Sequence, residues 1–401
     1  GGQFNSALGG YGTVAGGYAN VAQYLSAAGG GQYNKAYGSF SSIGGGSSNV
    51  AYSSGAAVGG GLSNILYGYC GVVNGGSGHT VRGDWGTVAG GRNNAAVADL
   101  SVVGGGQFNS AFGTYSVIAG GSFNSARMQH ATISGGYGNV NDGHGGTVSG
   151  GFNNTLLTSN SSVIAGGDNN VVNSHSTVIS GGRHNYADGL GAVVAGGDDN
   201  TVAGQWCVVG GGHENMASGY ASTTAGGVSN KAAATYGSIG GGRLNSALAA
   251  YSTVAGGYLN VASYLGAVGG GQYNKAYASY STISGGSKHV IYSAYASVGG
   301  GLNSFVSGYC GVVGGGDSNT ASGAWSTVAG GVDNSAKDLS VVGGGRFNSA
   351  HGDSTTVAGG TYNAALGPYS IIAGGSSNSA YGQHATISGG SANLNYGYGG
   401  T

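Results

Sequence analysis

Residues 326–336 read Ser-Thr-Val-Ala-Gly-Gly-Val-Asp-Asn-Ser-Ala, and this stretch decides the fold because the chain repeats it about every 15 residues. The consensus unit is Ser-Thr-Val-Ala-Gly-Gly-x-x-Asn-x-Ala-x-Gly-x-Tyr. A fixed period of this length is the sequence signature of stacked repeats. The chain has 94 glycines among 401 residues but no strict every-third spacing, which excludes collagen. Its hydrophobic residues, 40% of the total, recur at fixed positions, as a folded repeat protein requires.

Period-2 alternation around the repeated valine indicates a strand with that valine facing the core. Asn follows the valine by six residues, and a small apolar residue, usually Ala, follows Asn by two, which indicates a second strand. Glycine pairs are costly inside strands, so we place them at the corner between the two strands. The x-Gly-x-Tyr segment forms the other corner, as in 218–220. The expected core valine column includes Val14, Ile43, Val58, Val73, Val88, Val103 and Ile118.

These patterns predict an all-β protein, a parallel β-solenoid of about 27 rungs with a 15-residue repeat, each rung made of two strands and two corners. A longer period is superimposed, because residues 1–240 are matched by a truncated second copy at 241–401 that gains one unit near 353–367. We expect 1–401 to be a single continuous solenoid. Both termini fall within a repeat, so we also expect the chain to be part of a longer array.

The asparagine column has two interpretations. It is either a structural ladder, with each carboxamide bonded to the next rung or to a turn, or a repeated ligand site. The structural interpretation is favoured because a site does not need about two dozen copies. The column includes Asn20, Asn34, Asn49, Asn64, Asn94, Asn109 and Asn124.

The polar residues do not suggest chemistry. Glu occurs once, at Glu214, and no two carboxylates recur at the spacing of an acid–base pair. The nine histidines are dispersed, and His79 and His289 replace Asn in the ladder. We therefore expect no enzyme, no metal site and no cofactor. A net charge of −1 without basic clusters argues against nucleic acid, and no apolar run is long enough to span a membrane.

Aromatic residues recur three positions before the core valine. They are interpreted either as side chains that shield the core along a corner or as a continuous interface toward other subunits or glycans. This aromatic column includes Trp85, Trp206, Trp325, Tyr251 and Tyr280. Cys70 and Cys310 occupy the same column, as small apolar residues or as links between chains. They lie too many rungs apart to bond to each other.

The unit Gly-x-x-Asn-x-Ala-x-Gly-x-Tyr-Ser, as in 345–352 for its first eight positions, resembles the head repeats of trimeric autotransporter adhesins and the repeats of tail-fibre-like bacterial surface proteins. The resemblance covers essentially the whole chain. It implies a left-handed parallel β-roll, a trimer formed through one face, and adhesion at a cell surface or on a phage fibre.

The first functional hypothesis is an extracellular structural filament or adhesin that associates with itself and attaches to host, matrix or glycan surfaces. The alternatives are a phage tail-fibre module and an ice- or glycan-binding solenoid. Ice binding requires one hydroxyl residue at the same outward position in most rungs, and the candidate position is the residue before the core valine. Thr13 and Thr87 hold it, but Val72 and Val117 interrupt the column.

Overall fold

The structure, a computed structural model, describes residues 1–157 and 159–400. Contacts divide the chain into two units, Gly1–Val202 and Ala203–Thr401. The described residues of each unit form only short parallel strands, and together they complete about 26 turns at a spacing of about 15 residues. The prediction of an all-β parallel solenoid is confirmed. Two sheets run along each unit, and we call the sheet that follows the asparagines sheet 1 and the sheet that carries the core valines sheet 2.

Every strand is two residues long. In the first unit, the strands of sheet 1 are Ser6–Ala7, Val21–Ala22, Lys35–Ala36, Val50–Ala51, Ile65–Leu66, Thr80–Val81, Ala95–Ala96, Ser110–Ala111, Ser125–Ala126, Val140–Asn141, Thr155–Leu156, Val171–Val172, Tyr186–Ala187 and Thr201–Val202. The strands of sheet 2 are Thr13–Val14, Ala27–Ala28, Ser42–Ile43, Ala57–Val58, Val72–Val73, Thr87–Val88, Val102–Val103, Val117–Ile118, Thr132–Ile133, Thr147–Val148, Val163–Ile164, Val178–Ile179 and Val193–Val194.

The second unit repeats this arrangement. Its strands of sheet 2 are Val208–Val209, Thr223–Thr224, Ser238–Ile239, Thr253–Val254, Ala267–Val268, Thr282–Ile283, Ser297–Val298, Val312–Val313, Thr327–Val328, Val341–Val342, Thr356–Val357, Ile371–Ile372 and Thr386–Ile387. Its strands of sheet 1 are Met216–Ala217, Lys231–Ala232, Ser246–Ala247, Val261–Ala262, Lys275–Ala276, Val290–Ile291, Phe305–Val306, Thr320–Ala321, Ser335–Ala336, Ser349–Ala350, Ala364–Ala365, Ser379–Ala380 and Leu394–Asn395.

Equivalent residues of successive turns pair in register. Val73 pairs with Val88 in sheet 2, and the same register holds in sheet 1. A third ladder runs along the glycine corner, where single residues such as Ser77 and Arg92 form parallel bridges. The expectation of two strands and two corners per turn is therefore incomplete. Parallel pairing continues through the glycine corner because the backbone after each glycine pair is again extended.

The interior of each turn is narrow and is filled by four small or medium side chains. The core valine and the alanine two positions after the asparagine are fully buried in most turns, as Val73 and Ala96 illustrate. Asparagine and a small residue two positions before the valine, such as Ser101, complete the interior. Val14 is only partly buried, because it lies in the first sheet 2 strand and has a neighbouring turn on one side only.

The second glycine of each pair has a positive φ, +94° at Gly17, and a Cβ there would overlap the carbonyl oxygen of Gly31 in the next turn. Two non-glycine positions per turn share the left-handed region: the residue before the asparagine and the aromatic column, where Trp85 has φ 59°. Large side chains rarely adopt this conformation. The sequence pattern gave no indication of either position.

The corner before sheet 2 is a tight turn. Ser370 N donates to the Gly367 carbonyl at 3.1 Å, and Pro368 and Tyr369 lie between them. Tyr369 has φ 60°, as position i+2 of a type II turn requires, and Pro368 holds position i+1, which proline favours. The only proline of the chain thus occupies a turn position that suits its fixed φ.

Turn length varies only at this corner. The asparagine follows the core position by six residues whether the turn has 14 residues, as from Asn20 to Asn34, or 16, as from Asn154 to Asn170. In the short turn the missing residue lies between Ala22 and Ala28. The glycine corner therefore has a fixed length, and the other corner accommodates the differences.

Candidate functional surfaces

The asparagine column is buried except at its two ends, Asn5 and Asn393, and its side chains hydrogen-bond to the backbone. Asn34 Nδ2 donates to the carbonyl of Gly30 in its own turn at 2.8 Å and to that of Gly46 in the next turn at 2.9 Å. Its Oδ1 accepts from Asn49 N at 3.1 Å. The asparagines named from the sequence all have at most 1% exposure: Asn20, Asn34, Asn49, Asn64, Asn94, Asn109 and Asn124. Each carboxamide thus joins one turn to the next, and its polar atoms face the interior.

The column has three substitutions with poorer bonding. His79 Nδ1 accepts from Asn94 N at 3.1 Å, but His79 Nε2 is buried without a hydrogen-bond partner. His289 repeats this arrangement toward Ser304 N, and the Ser304 hydroxyl is also buried and unpaired. Burial lowers the pKa of both imidazoles below the usual 6.5, because the charged form loses its hydration.

Aromatic residues of the aromatic column project outward. Trp85, Trp206, Trp325, Tyr251 and Tyr280 are between 51% and 58% exposed. They therefore do not close off the core, which small residues already fill. Cys70 and Cys310 are half-buried free thiols in the same column, whereas Cys207 is fully buried and contacts the Ser222 hydroxyl at 3.2 Å.

Rings in adjacent turns contact each other, some of them stacked and others edge to face, as Tyr309 and Trp325 are. Tyr280 and Tyr295 have centroids 4.9 Å apart with planes inclined by 8°. A separate aromatic column on the outer face of sheet 1 includes Tyr52 and Tyr67, at 5.0 Å and 6°. This second column was not predicted, although the 15-residue spacing from Tyr37 to Tyr52 is visible in the sequence. Stacked rings cover each other's faces and present edges and hydroxyl groups to the exterior.

The outer face of sheet 2 has the opposite character. The residue before each core valine is Thr in ten turns, Val or Ile in ten, and Ala or Ser in the remaining six. The residue after it is Ala in ten turns, Gly in ten, Ser in five and Asn in one. We call these the ridge column and the groove column. Neither column contains a charged or aromatic residue, so small and medium side chains line this face and it is weakly polar.

One charged cluster lies beside the glycine corner of the first unit. Arg183 binds the Asp198 carboxylate through Nε at 2.9 Å and Nη2 at 2.6 Å. His184 Nδ1 lies 3.6 Å from Asp199 Oδ1 and 3.9 Å from Asp198 Oδ1. Within 1–157 and 159–400, this is the one group of three potential metal-binding side chains close enough to share an ion. The guanidinium already engages both Asp198 oxygens, so a cation there would compete with Arg183.

The fold and these surfaces define a parallel β-solenoid repeat protein. The sequence matches no protein-family model, and no curated protein is significantly similar to it. Across the described parts of the chain, the structure has no helix that is long and apolar enough to cross a membrane.

Proposed function

We propose that this chain is a non-catalytic extracellular structural or adhesive element, which presents repeated outward surfaces for self-association and attachment. The observation that carries the proposal is the asparagine ladder. The most regularly repeated polar side chain points inward, and its hydrogen bonds hold adjacent turns together, as Asn34 does with Gly46 and Asn49. The inward asparagines are therefore nearly constant and build a uniform scaffold, whereas the residues of the outward columns vary from turn to turn.

The resemblance to adhesin head repeats supports a place at the cell surface and association of the chain with itself. A phage tail-fibre module has the same requirements and is the alternative assignment. Both need a scaffold that extends by adding turns, and a solenoid meets this need because each turn contacts only its neighbours.

The aromatic column is the proposed attachment surface. Trp85, Trp206 and Trp325 are each more than half exposed, although exposure of so much apolar area is unfavourable in water. Where rings stack, as for Tyr280 and Tyr295, the edges and hydroxyl groups face outward. Trp85 and Trp325 instead meet Tyr69 and Tyr309 edge to face, at interplanar angles of 77° and 76°, so ring stacking alone does not select a protein partner over a glycan.

The test is attachment under flow. Beads coated with the full chain should be retained on cell, matrix or glycan surfaces, and Trp85→Ser, Trp206→Ser and Trp325→Ser together should reduce retention at least about fivefold. Tyr52→Ser, Tyr277→Ser and Tyr381→Ser together form the matched control, because these exposed tyrosines lie on the outer face of sheet 1. Retention of wild-type beads equal to that of uncoated beads on every surface would refute the adhesive role.

A further inference from the structure

The outer face of sheet 2 lacks the features of a water-facing surface. All 23 Lys, Arg, Asp and Glu residues lie outside the ridge and groove columns, and so do all aromatic residues. Parallel sheets are ordinarily covered on both faces, whereas the interior of the solenoid covers only one face of sheet 2. Covering this outer face would bury no charge, and charged groups are the most costly to remove from water.

The two columns have complementary shapes. Of the ten turns with Val or Ile in the ridge column, eight have Gly or Ala in the groove column of the same turn. Val341 and Gly343 flank one core residue and both face outward, and Ile371 and Ala373 are arranged in the same way. A shallow depression lies over Gly29, Gly44 and Gly59, where the groove column has no side chains. A large residue thus stands beside a small one about 7 Å away along the strand.

We propose that the occupant of this face is a second copy of the chain, packed sheet to sheet about a two-fold axis that runs along the stacking direction of the turns. Rotation about this axis reverses the strand direction and places the ridge column of one copy against the groove column of its partner. Residues of the same turn then meet, Ile371 of one copy facing Ala373 of the other. This isologous arrangement requires a self-complementary face, which the paired large and small residues provide.

The area is sufficient for a specific interface. One unit has 13 strands in sheet 2, which extend roughly 62 Å at about 4.8 Å per strand. Three residues of strand width give about 10 Å, so each copy contributes roughly 600 Å² from one unit. The total of about 1,200 Å² reaches the lower bound for stable protein interfaces. The proposal rests on the proposed self-association and specifies its face and symmetry.

Sedimentation equilibrium of the full chain tests the pairing. With Cys70→Ser and Cys310→Ser to remove accessible thiols, we expect about twice the single-chain mass of 38.4 kDa. Adding Val341→Lys and Ile371→Lys should raise the dissociation constant at least about tenfold, because each pairing would bury ammonium groups. The matched control is Leu248→Lys with Leu366→Lys, exposed positions on the outer face of sheet 1, which should leave the mass doubled. Val341→Thr, a natural ridge residue, should also pair.

Cysteine cross-linking tests the symmetry. In the same background, a chain with Ile371→Cys and another with Ala373→Cys should form a disulfide-linked pair under mild oxidation only when the two are mixed. Cross-linking of Ile371→Cys chains to each other would overturn the proposed axis.

Three results of the sedimentation experiment would overturn the pairing itself. They are a single-chain mass at about 10 µM, a threefold mass, and equal disruption by the control variant. A concentration of about 10 µM is well above the Kd expected of a specific interface. Thermal hysteresis by a single chain would instead identify ice as the occupant. Bead retention is measured independently, so a failed pairing leaves the adhesive role standing.

Discussion

Asn109 Oδ1 accepts a hydrogen bond from Asn124 N, 15 residues later, at 3.0 Å, and its Nδ2 donates to Gly105 and Gly121 carbonyls at 2.9 Å each. This one carboxamide fixes the glycine corner of its own turn and the start of the next strand. Nearly every turn repeats the arrangement, so the stability of the solenoid depends on many equivalent polar contacts as well as on its narrow apolar core.

Replacing Asn109 with Ala should open the turns around it. The change leaves the buried Asn124 N–H and the Gly105 carbonyl without their bonds, which costs about 2–4 kcal/mol. Native-state hydrogen exchange should show faster exchange in residues 95–126. Gln107→Ala, an exposed change in the same turn, is the control and should leave exchange unchanged. Equal protection in both variants would contradict a stabilising ladder.

Ser304→Asn should stabilise the second unit. Asn at this position can donate to Gly300 and Gly316 carbonyls and accept from Asn319 N, as the rest of the column does. We expect a gain of about 1–2 kcal/mol in the free energy of unfolding, measured by denaturant titration. Ser304→Ala tests whether the gain comes from the new bonds, since it only removes an unpaired hydroxyl and should be nearly neutral. A destabilised Asn variant would contradict this account.

His79 and His289 should make the protein sensitive to mild acid. Their pKa is lowered in the folded state, so below about pH 6.5 the unfolded chain binds protons that the folded chain does not. Their contribution to stability is therefore complete above pH 6.5 and is lost as pH falls toward the folded-state pKa.

His79→Asn combined with His289→Asn should flatten the decrease in melting temperature between pH 7 and pH 5, about two units across which the imidazoles of the unfolded chain become protonated. Circular dichroism at each pH provides the measurement. His130→Asn, at an exposed position, controls for the loss of one histidine. An unchanged pH dependence in the double variant would show that the ladder histidines do not control acid stability.

Ala250→Pro should raise stability by about 0.4–1 kcal/mol, because proline restricts the unfolded chain. Ala250 holds the turn position that Pro368 occupies, and Ser252 N donates to the Ala249 carbonyl at 3.1 Å, as Ser370 does to Gly367. Ala262→Pro, inside the strand Val261–Ala262, should destabilise by about 3 kcal/mol or more. Thermal unfolding distinguishes the two, and a destabilised Ala250→Pro would contradict the turn assignment.

The 15-residue period was sufficient to predict the columns, because a residue in a stacked solenoid has the same neighbours in every turn. It did not predict local backbone conformation. Trp85 and its equivalents adopt positive φ, which sequence reasoning assigns to glycine. The single-residue ladder through Ser77 and Arg92 was also missed, since one extended residue has no alternation to detect.

The outward surfaces were predicted less completely than the interior. The aromatic column was identified from its spacing to the core valine. Its exposure was not predicted, because the spacing of a residue along the chain does not tell how far its side chain lies from the core. The stack of Tyr52 and Tyr67 was not predicted, because the consensus repeat has only one aromatic position per turn. The uniform chemistry of the sheet 2 face becomes evident only when both outward positions are considered together.

The fixed spacing between the core valine and the asparagine divides each turn into a part that cannot change length and a part that can. From Val14 to Asn20 any inserted residue would separate the glycine carbonyls from the carboxamide that binds them. Between Ala22 and Ala28 the chain already tolerates a deletion. Foreign peptides grafted into that second corner would therefore be displayed at regular intervals on an undisturbed scaffold, which makes the protein a natural template for arrayed ligands.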